Sequence, residues 1–198
     1  MAIQVQIEYT PEEYLALERK AKYKSEYVNG RIYAMSGASE EHNLIAGNVF
    51  AGLHTQLRGR TCRAYISDMR VKVNTTGGYF YPDVVAVCGE PLFGDKELDT
   101  LLNPTVVIEV LSDSTEAYDR GEKFAHYRRV ESLSEYVLVA QDKVRVEHYE
   151  RQGVAWLFTE VSDLDDTLTL TSIECALLVR DIYERVEFPG VGLAIAGS

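Results

Sequence analysis

Positive charge is what this sequence lacks most. Its 20 Lys and Arg face 31 Asp and Glu, a formal net charge of −11 over 198 residues. That balance argues against a large, non-specific nucleic-acid binder, whose affinity rests on neutralising phosphates. Cysteine is scarce: Cys62, Cys88 and Cys175 are odd in number, far apart and without a C-x-x-C pair. Neither a zinc ribbon nor a disulfide framework is expected, and the apolar surroundings predict buried free thiols. No apolar run approaches the roughly 20 residues of a membrane helix. Met1-Ala2-Ile3-Gln4 has neither the basic start nor the apolar stretch of a signal peptide, so cytoplasm is the expected compartment.

Several catalytic signatures are missing too. There is no G-x-S-x-G elbow, no Walker A loop and no H-E-x-x-H pair. His42, His54, His126 and His148 do not fall at zinc-ligand spacing. Gly190-Val191-Gly192 lacks the third glycine and following helix of a dinucleotide site. Asp163-Leu164-Asp165-Asp166 lacks the length and closing Glu of a calcium loop and reads as a turn. No repeat or low-complexity linker interrupts the chain. A single domain over 1–198 is expected, with its core at about 10–186 and a flexible tail at about 188–198.

What is present is an ordinary globular composition, 46% hydrophobic and 26% charged. Thr10-Pro11-Glu12-Glu13 predicts a capped helix running to about Lys22. Asn29-Gly30 between two aromatic-rich runs predicts a hairpin over Ser25–Met35. Ser39 heads a longer helix with Ile45, Val49, Leu53 and Leu57 on one face, and Gly59 ends it. Strands are expected at 61–66 and 68–74. Tyr79–Cys88 and Thr105–Leu111 read as strands buried on both faces. Gly89–Pro104 reads as an irregular loop and Tyr118–Arg129 as a helix. Tyr136–Ala140, Val144–Glu150, Trp156–Val161 and Leu168–Ile173 read as consecutive antiparallel strands, with a last helix near Arg180–Val186. The order predicts a mixed α/β sheet with helices packed against it.

Charge is unevenly spread. Residues 131–198 carry 13 acids against 5 bases, leaving 18 against 15 before them. Arg58, Arg60, Arg63, Arg70 and Lys72 cluster there, opposed only by Asp68. They read either as a mixed solvated surface or as a local basic face for a nucleic-acid backbone.

The anomaly lies in Val106-Val107-Ile108-Glu109-Val110-Leu111, a carboxylate inside an apolar strand. Burying an isolated carboxylate costs several kcal/mol, roughly, unless a metal, a cation or strong hydrogen bonds compensate. Asp83 opens the apolar run Val84–Val87 directly after Pro82. Two acids on neighbouring core strands make a hard-oxygen pocket suited to a divalent cation. The plain alternatives are strand-start capping for Asp83 and a buried Arg pair for Glu109. Asp119, Lys123 and Tyr127 share one face of the expected helix, where Lys123 could equally be an exposed partner of Asp119. Glu26 is a further candidate acid, or a solvent-facing strand residue.

Tyr81-Pro82-Asp83, Ile108-Glu109-Val110-Leu111-Ser112, then Asp119, Lys123 and Tyr127, together resemble the Uma-type family of restriction-endonuclease-like proteins, part of the PD-(D/E)xK nuclease superfamily. Glu26 ahead of Asn29-Gly30, and His42 early in the long helix, fit as well. The resemblance spans about 10–186. It implies a restriction-endonuclease-like mixed β-sheet core flanked by helices, with added antiparallel strands in the C-terminal part. It also implies Mg²⁺- or Mn²⁺-dependent hydrolysis of DNA phosphodiesters. Asp83, Glu109 and the Val110 carbonyl would hold the metal, Lys123 and Glu26 would join the catalytic set, and Ser112, Asp119, Tyr127 and His42 would support it. The superfamily's usual lysine position is Leu111 here, so the resemblance implies a lysine migrated to 123. Asp113 stands where the family often has proline. By analogy the partners are DNA and a second copy in a homodimer, with no membrane. The other reading is a catalytically weak or inactive nuclease-fold module with a binding or regulatory role.

Overall fold

A computed structural model describes residues 7–188. The expected N-terminal stretch at 1–4 and the glycines of the tail at 190–192 lie outside the described residues. Helix α1 (Pro11–Glu18) starts as its sequence dictates. Thr10 Oγ1 accepts from Glu13 N at 3.2 Å, and Glu13 Oε2 accepts from Thr10 N at 2.8 Å. It stops four residues short of the expected Lys22. Beyond Glu18 nothing apolar faces inward (Tyr23 is 82% exposed), and the Glu18 carboxylate turns to accept from Ser25 N and Oγ. The hairpin β1 (Ser25–Val28) and β2 (Arg31–Ala34) turns on Asn29 and Gly30, both at positive φ, as the Asn-Gly pair requires. Helix α2 (Glu40–Gln56) is capped by Ser39 Oγ, which accepts from His42 N.

Strands β3 (Cys62–Ile66), β4 (Arg70–Val73), β5 (Gly78–Phe80) and β6 (Val84–Cys88) follow. The run expected as one strand over Tyr79–Cys88 is two strands in two sheets. Pro82 has no N–H to donate and holds Tyr81 extended, so the chain leaves one sheet after Phe80 and enters the next at Val84. The segment expected to be wholly irregular contributes β7 (Thr100–Leu101), paired in parallel with β4. Strand β8 (Val106–Leu111) is buried throughout. A continuous helical segment then runs as α3 (Glu116–Tyr118), a π-helical turn (Asp119–Lys123) and α4 (Phe124–Tyr127). It connects β8 to its parallel neighbour β9 (Glu135–Ala140), the crossover that parallel pairing demands.

Strands β10 (Val146–Gln152) and β11 (Ala155–Val161) extend the sheet as antiparallel neighbours. The last expected strand does not join them. β12 (Thr167–Leu170) pairs instead with β13 (Cys175–Leu178), which the sequence reading missed, through a 3₁₀ turn at Thr171–Ile173. Helix α5 (Val179–Ile182) is the last element among the described residues, and Phe188 packs on Tyr183.

Among the described residues the strands form a five-stranded sheet (β2-β1-β5-β4-β7), a six-stranded sheet (β11-β10-β9-β8-β6-β3) and the β12–β13 ribbon. The strand period of two divides the core. Val106, Ile108 and Val110 face α2, α5 and the ribbon. Val107 and Leu111 face the crossover helix and the five-stranded sheet, with Phe80, Phe124, Tyr127 and Tyr136. Glu109 falls on this second face.

One expectation is overturned outright. Cys62 and Cys88 are not free thiols but a disulfide, because β3 and β6 place them directly opposite one another, Cα atoms 3.9 Å apart. Cys175 alone is free and buried, and burial raises its pKa.

Candidate active site

Antiparallel pairing of Val84 with Ile108 brings Asp83, one residue before, opposite Glu109, one residue after. Asp83 is doubly held. Its Oδ2 accepts from Val110 N at 2.7 Å, and its Oδ1 lies 2.9 Å from His42 Nε2 on α2. It is therefore a cross-strand brace, beyond a strand-start cap. Asp83 and His42 are the more open members, with side chains 16% and 17% exposed.

Glu109 and Lys123 lie deeper. Lys123 Nζ stands 2.9 Å from Glu109 Oε1, 3.0 Å from Glu26 Oε1 and 3.6 Å from Asp119 Oδ1. All four residues are buried. Glu109 thus pairs with a lysine rather than an arginine, Lys123 is no surface lysine, and Glu26 does not face solvent. The 2.9 Å approach to Glu109 is an ion-pair contact without hydrogen-bond alignment, since Glu109 Oε1 has no hydrogen-bond partner. The Tyr127 hydroxyl, also buried, is likewise unsatisfied. The π turn carries both Asp119 and Lys123; π turns recur at functional positions, and no sequence periodicity announces one.

Burial raises the Glu109 pKa well above the carboxylate range, and Lys123 only partly offsets it. Burial would depress Lys123, but Glu109 and Glu26 outweigh that and hold its ammonium firmly protonated. Asp119 is raised by burial as well. Three buried carboxylates around one ammonium leave negative charge in a low-dielectric space. Such an excess is relieved by a retained proton or by a bound cation. Among the described residues, no three His, Cys, Asp or Glu side chains already converge on a metal position. The donor chemistry nonetheless fits a hard divalent ion. Glu109 Oε1 is unsatisfied, Asp83 lies opposite, and magnesium needs only one or two protein carboxylates beside its waters.

Of the other expected residues, Ser112 stays in its own turn, its Oγ 3.0 Å from Thr115 Oγ1. The expected basic face is corrected at Arg70, which is 2% exposed. It donates to Thr100 Oγ1 and Tyr81 Oη and pairs with Asp99 at 2.9 Å. Arg60 turns to the β12–β13 ribbon, donating to Ile173 O and Glu174 Oε2. Lys72 lies over the Tyr79 ring, while Arg58 and Arg63 are exposed. The sequence reading also missed Tyr136, whose hydroxyl donates to Asp119 O at 3.0 Å and steadies the π turn. Its tyrosine inside an apolar strand was the available signal. The buried Glu135–His148 contact at 2.6 Å lies apart, on β9 and β10.

The family model Uma2, described as "Putative restriction endonuclease", matches residues 11–179. The chain is a Uma2-family protein. Two relatives come from Synechocystis sp. (strain ATCC 27184 / PCC 6803 / Kazusa). Uncharacterized protein sll1609 is 39% identical over 153 residues, 77% of this chain and 86% of that relative. Uncharacterized protein slr1290 is 36% identical over 180 residues, 90% of this chain and 93% of the relative. A solved structure from Anabaena variabilis ATCC 29413, titled a putative nuclease belonging to DUF820, superposes with TM-score 0.73 at 19% identity. The match covers 88% of this chain and 97% of that one, and it establishes the restriction-endonuclease-like fold for this Uma2 protein.

Proposed function

We propose that this Uma2 protein is a divalent-metal-dependent endonuclease acting on DNA. The observation that carries the reading is the convergence of Glu109, Glu26 and Asp119 on Lys123, with Asp83 held opposite Glu109 on the neighbouring core strand. A chain with no use for this chemistry would gain stability by filling such a place with apolar side chains.

Asp83 and Glu109, with the Val110 carbonyl, would hold Mg²⁺ or Mn²⁺. The bound ion would polarise the scissile phosphate and acidify a water. Lys123 would place that water and offset charge on the phosphate oxygens. Glu26 and Asp119 fix the ammonium, and Glu26 is itself fixed by accepting from Tyr81 N at 3.2 Å. His42 orients Asp83. Arg58, Arg63 and Lys72 would meet the DNA backbone, with Arg60 and Arg70 excluded by their internal bonds.

A second reading, a nuclease-fold binding module without turnover, is favoured by one observation: Glu109 is only 3% exposed. Incubating plasmid and single-stranded DNA with Mg²⁺, Mn²⁺ or EDTA separates the two. Metal-dependent cutting lost in both Asp83→Asn and Lys123→Ala is the expected result. Absence of cutting under every condition, with the fold intact, would favour the module.

A further inference from the structure

We propose that β11 is a self-pairing edge, through which two copies of this chain join their six-stranded sheets about a twofold axis at Phe158. The inference stands independently of the nuclease reading. β11 ends the sheet, and its outer side is free among the described strands. Natural edges are usually blunted by proline, lysine or a bulge. β11 reads Ala-Trp-Leu-Phe-Thr-Glu-Val, with no proline, no basic residue and one charge, Glu160. Leu157 and Phe158 are 44% and 49% exposed.

The register fixes which backbone groups are available. Gln152 pairs with Ala155 across the two-residue turn Gly153-Val154. The pair flanking such a turn is hydrogen-bonded within the hairpin. Ala155, Leu157, Thr159 and Val161 therefore aim their amides and carbonyls at β10. Trp156, Phe158 and Glu160 aim theirs outward. An antiparallel copy centred on Phe158 pairs Phe158 with itself and Trp156 with the partner's Glu160, so every outward group finds a mate. Antiparallel pairing about a twofold also closes at this edge, leaving neither β11 open and β3 at each end of the joined sheet.

Charge selects this centre. Glu160 opposes Glu147 within the hairpin, and Glu147 is already taken by Arg120, so Glu160 lacks a cation among the described residues. The Arg151 guanidinium lies 4.4 Å over the Trp156 ring and donates to the carbonyls of Leu133, Arg128 and Val130, with no carboxylate partner among the described residues. Pairing Trp156 with the partner's Glu160 sets that carboxylate in the same cross-strand row as Arg151. Opposite charges in such rows are favourable and like charges are not.

Sedimentation velocity on the full chain across the micromolar range tests this. A dimer is expected. Phe158→Lys and Glu160→Arg should each weaken it about tenfold or more, since each sets like charges against one another. Their far-UV circular dichroism should match wild type, both positions being exposed, while loss of the dimer and of the Phe158 ring contact with Tyr149 should lower the melting temperature only modestly. Phe158→Cys should cross-link with a short thiol-reactive bridge, whereas Leu178→Cys, exposed on β13, should not. A chain that stays monomeric, or a dimer that both charge substitutions leave intact, overturns the proposal.

Discussion

Lys123 Nζ and Glu109 Oε1 stand 2.9 Å apart, both buried, as an ion pair without hydrogen-bond alignment. The ammonium holds Glu26 and Asp119 as well, so its removal strands several carboxylates at once. Lys123→Ala is expected to destabilise the metal-free protein by on the order of 3–5 kcal/mol, the usual cost of removing one partner from a buried pair. The double substitution Glu109→Gln with Lys123→Met should cost less than Lys123→Ala alone. Urea unfolding of the set checks this. A Lys123→Ala protein as stable as wild type would show that the cluster is already neutralised by protonation.

The same charge excess predicts a metal effect that needs no substrate. Saturating Mg²⁺ or Mn²⁺ should raise the melting temperature by about 4 °C or more, since ligand bound only to the folded state stabilises it. Asp83→Asn and Glu109→Gln should abolish that rise. Glu109→Gln should also stabilise the metal-free protein slightly, by relieving repulsion with Glu26 and Asp119. A rise of equal size in all three proteins would place the ion elsewhere.

Much of this site was legible in sequence because burial of charge is locally visible. Glu109 sits in an unbroken apolar run, and Asp83 follows a proline that ends one strand and opens another. Asp119 and Lys123 could be placed on one helix face by spacing. The π turn that sets their relation could not, because it changes the hydrogen-bond ladder and leaves composition untouched. Nor could the burial of Arg70, which alternates with Lys72 between the apolar Met69, Val71 and Val73 and so reads like its exposed-looking neighbour. Its burial depends on Asp99, Thr100 and Tyr81 arriving from other elements. Cys62 and Cys88 were misjudged for the same reason: only the β3–β6 register sets them opposite each other.

Tyr127 gives a test that separates stability from function. Its buried hydroxyl has no hydrogen-bond partner, and burial holds it strongly un-ionised. Removing an unsatisfied polar group costs little, so Tyr127→Phe should match or exceed wild-type stability by up to about 1 kcal/mol. If the hydroxyl serves bound metal water or substrate, DNA cutting should fall while the melting curve holds. Unchanged cutting would leave Tyr127 a packing residue against Phe80 and Tyr136.

The disulfide can be counted directly. Alkylation of the unfolded, unreduced chain should label one thiol, Cys175, and reduction should expose Cys62 and Cys88. Their separation of 26 residues predicts that replacing either by Ser costs about 3 kcal/mol, through the freer unfolded chain. Labelling of three thiols without reductant would restore the free-thiol expectation.

A last prediction concerns acid. Hydrogen bonding to Arg19, helped by Thr100 and Arg70, holds the Asp99 carboxyl well below the aspartate range, against a smaller opposing effect of burial. A depressed folded pKa stabilises fully above the unfolded value, about 3.9, and that stability is lost as pH falls through the folded value. Asp95 is lowered by the same arginine and acts in the same direction. Glu109 acts oppositely, because its raised pKa makes the metal-free protein lose stability as pH climbs above the ordinary glutamate range. Wild type without metal should therefore have a stability maximum on the acid side of neutrality. Asp99→Asn should lower stability at neutral pH by on the order of 3 kcal/mol, because buried Arg70 loses its carboxylate. It should also flatten the acid limb, leaving the shallower slope that Asp95 supplies. Unfolding free energies measured from acid to neutral pH in both proteins check this. An Asp99→Asn curve parallel to wild type throughout would mean that Asp99 titrates normally, and that Arg70 is held by Tyr81 and Thr100 alone.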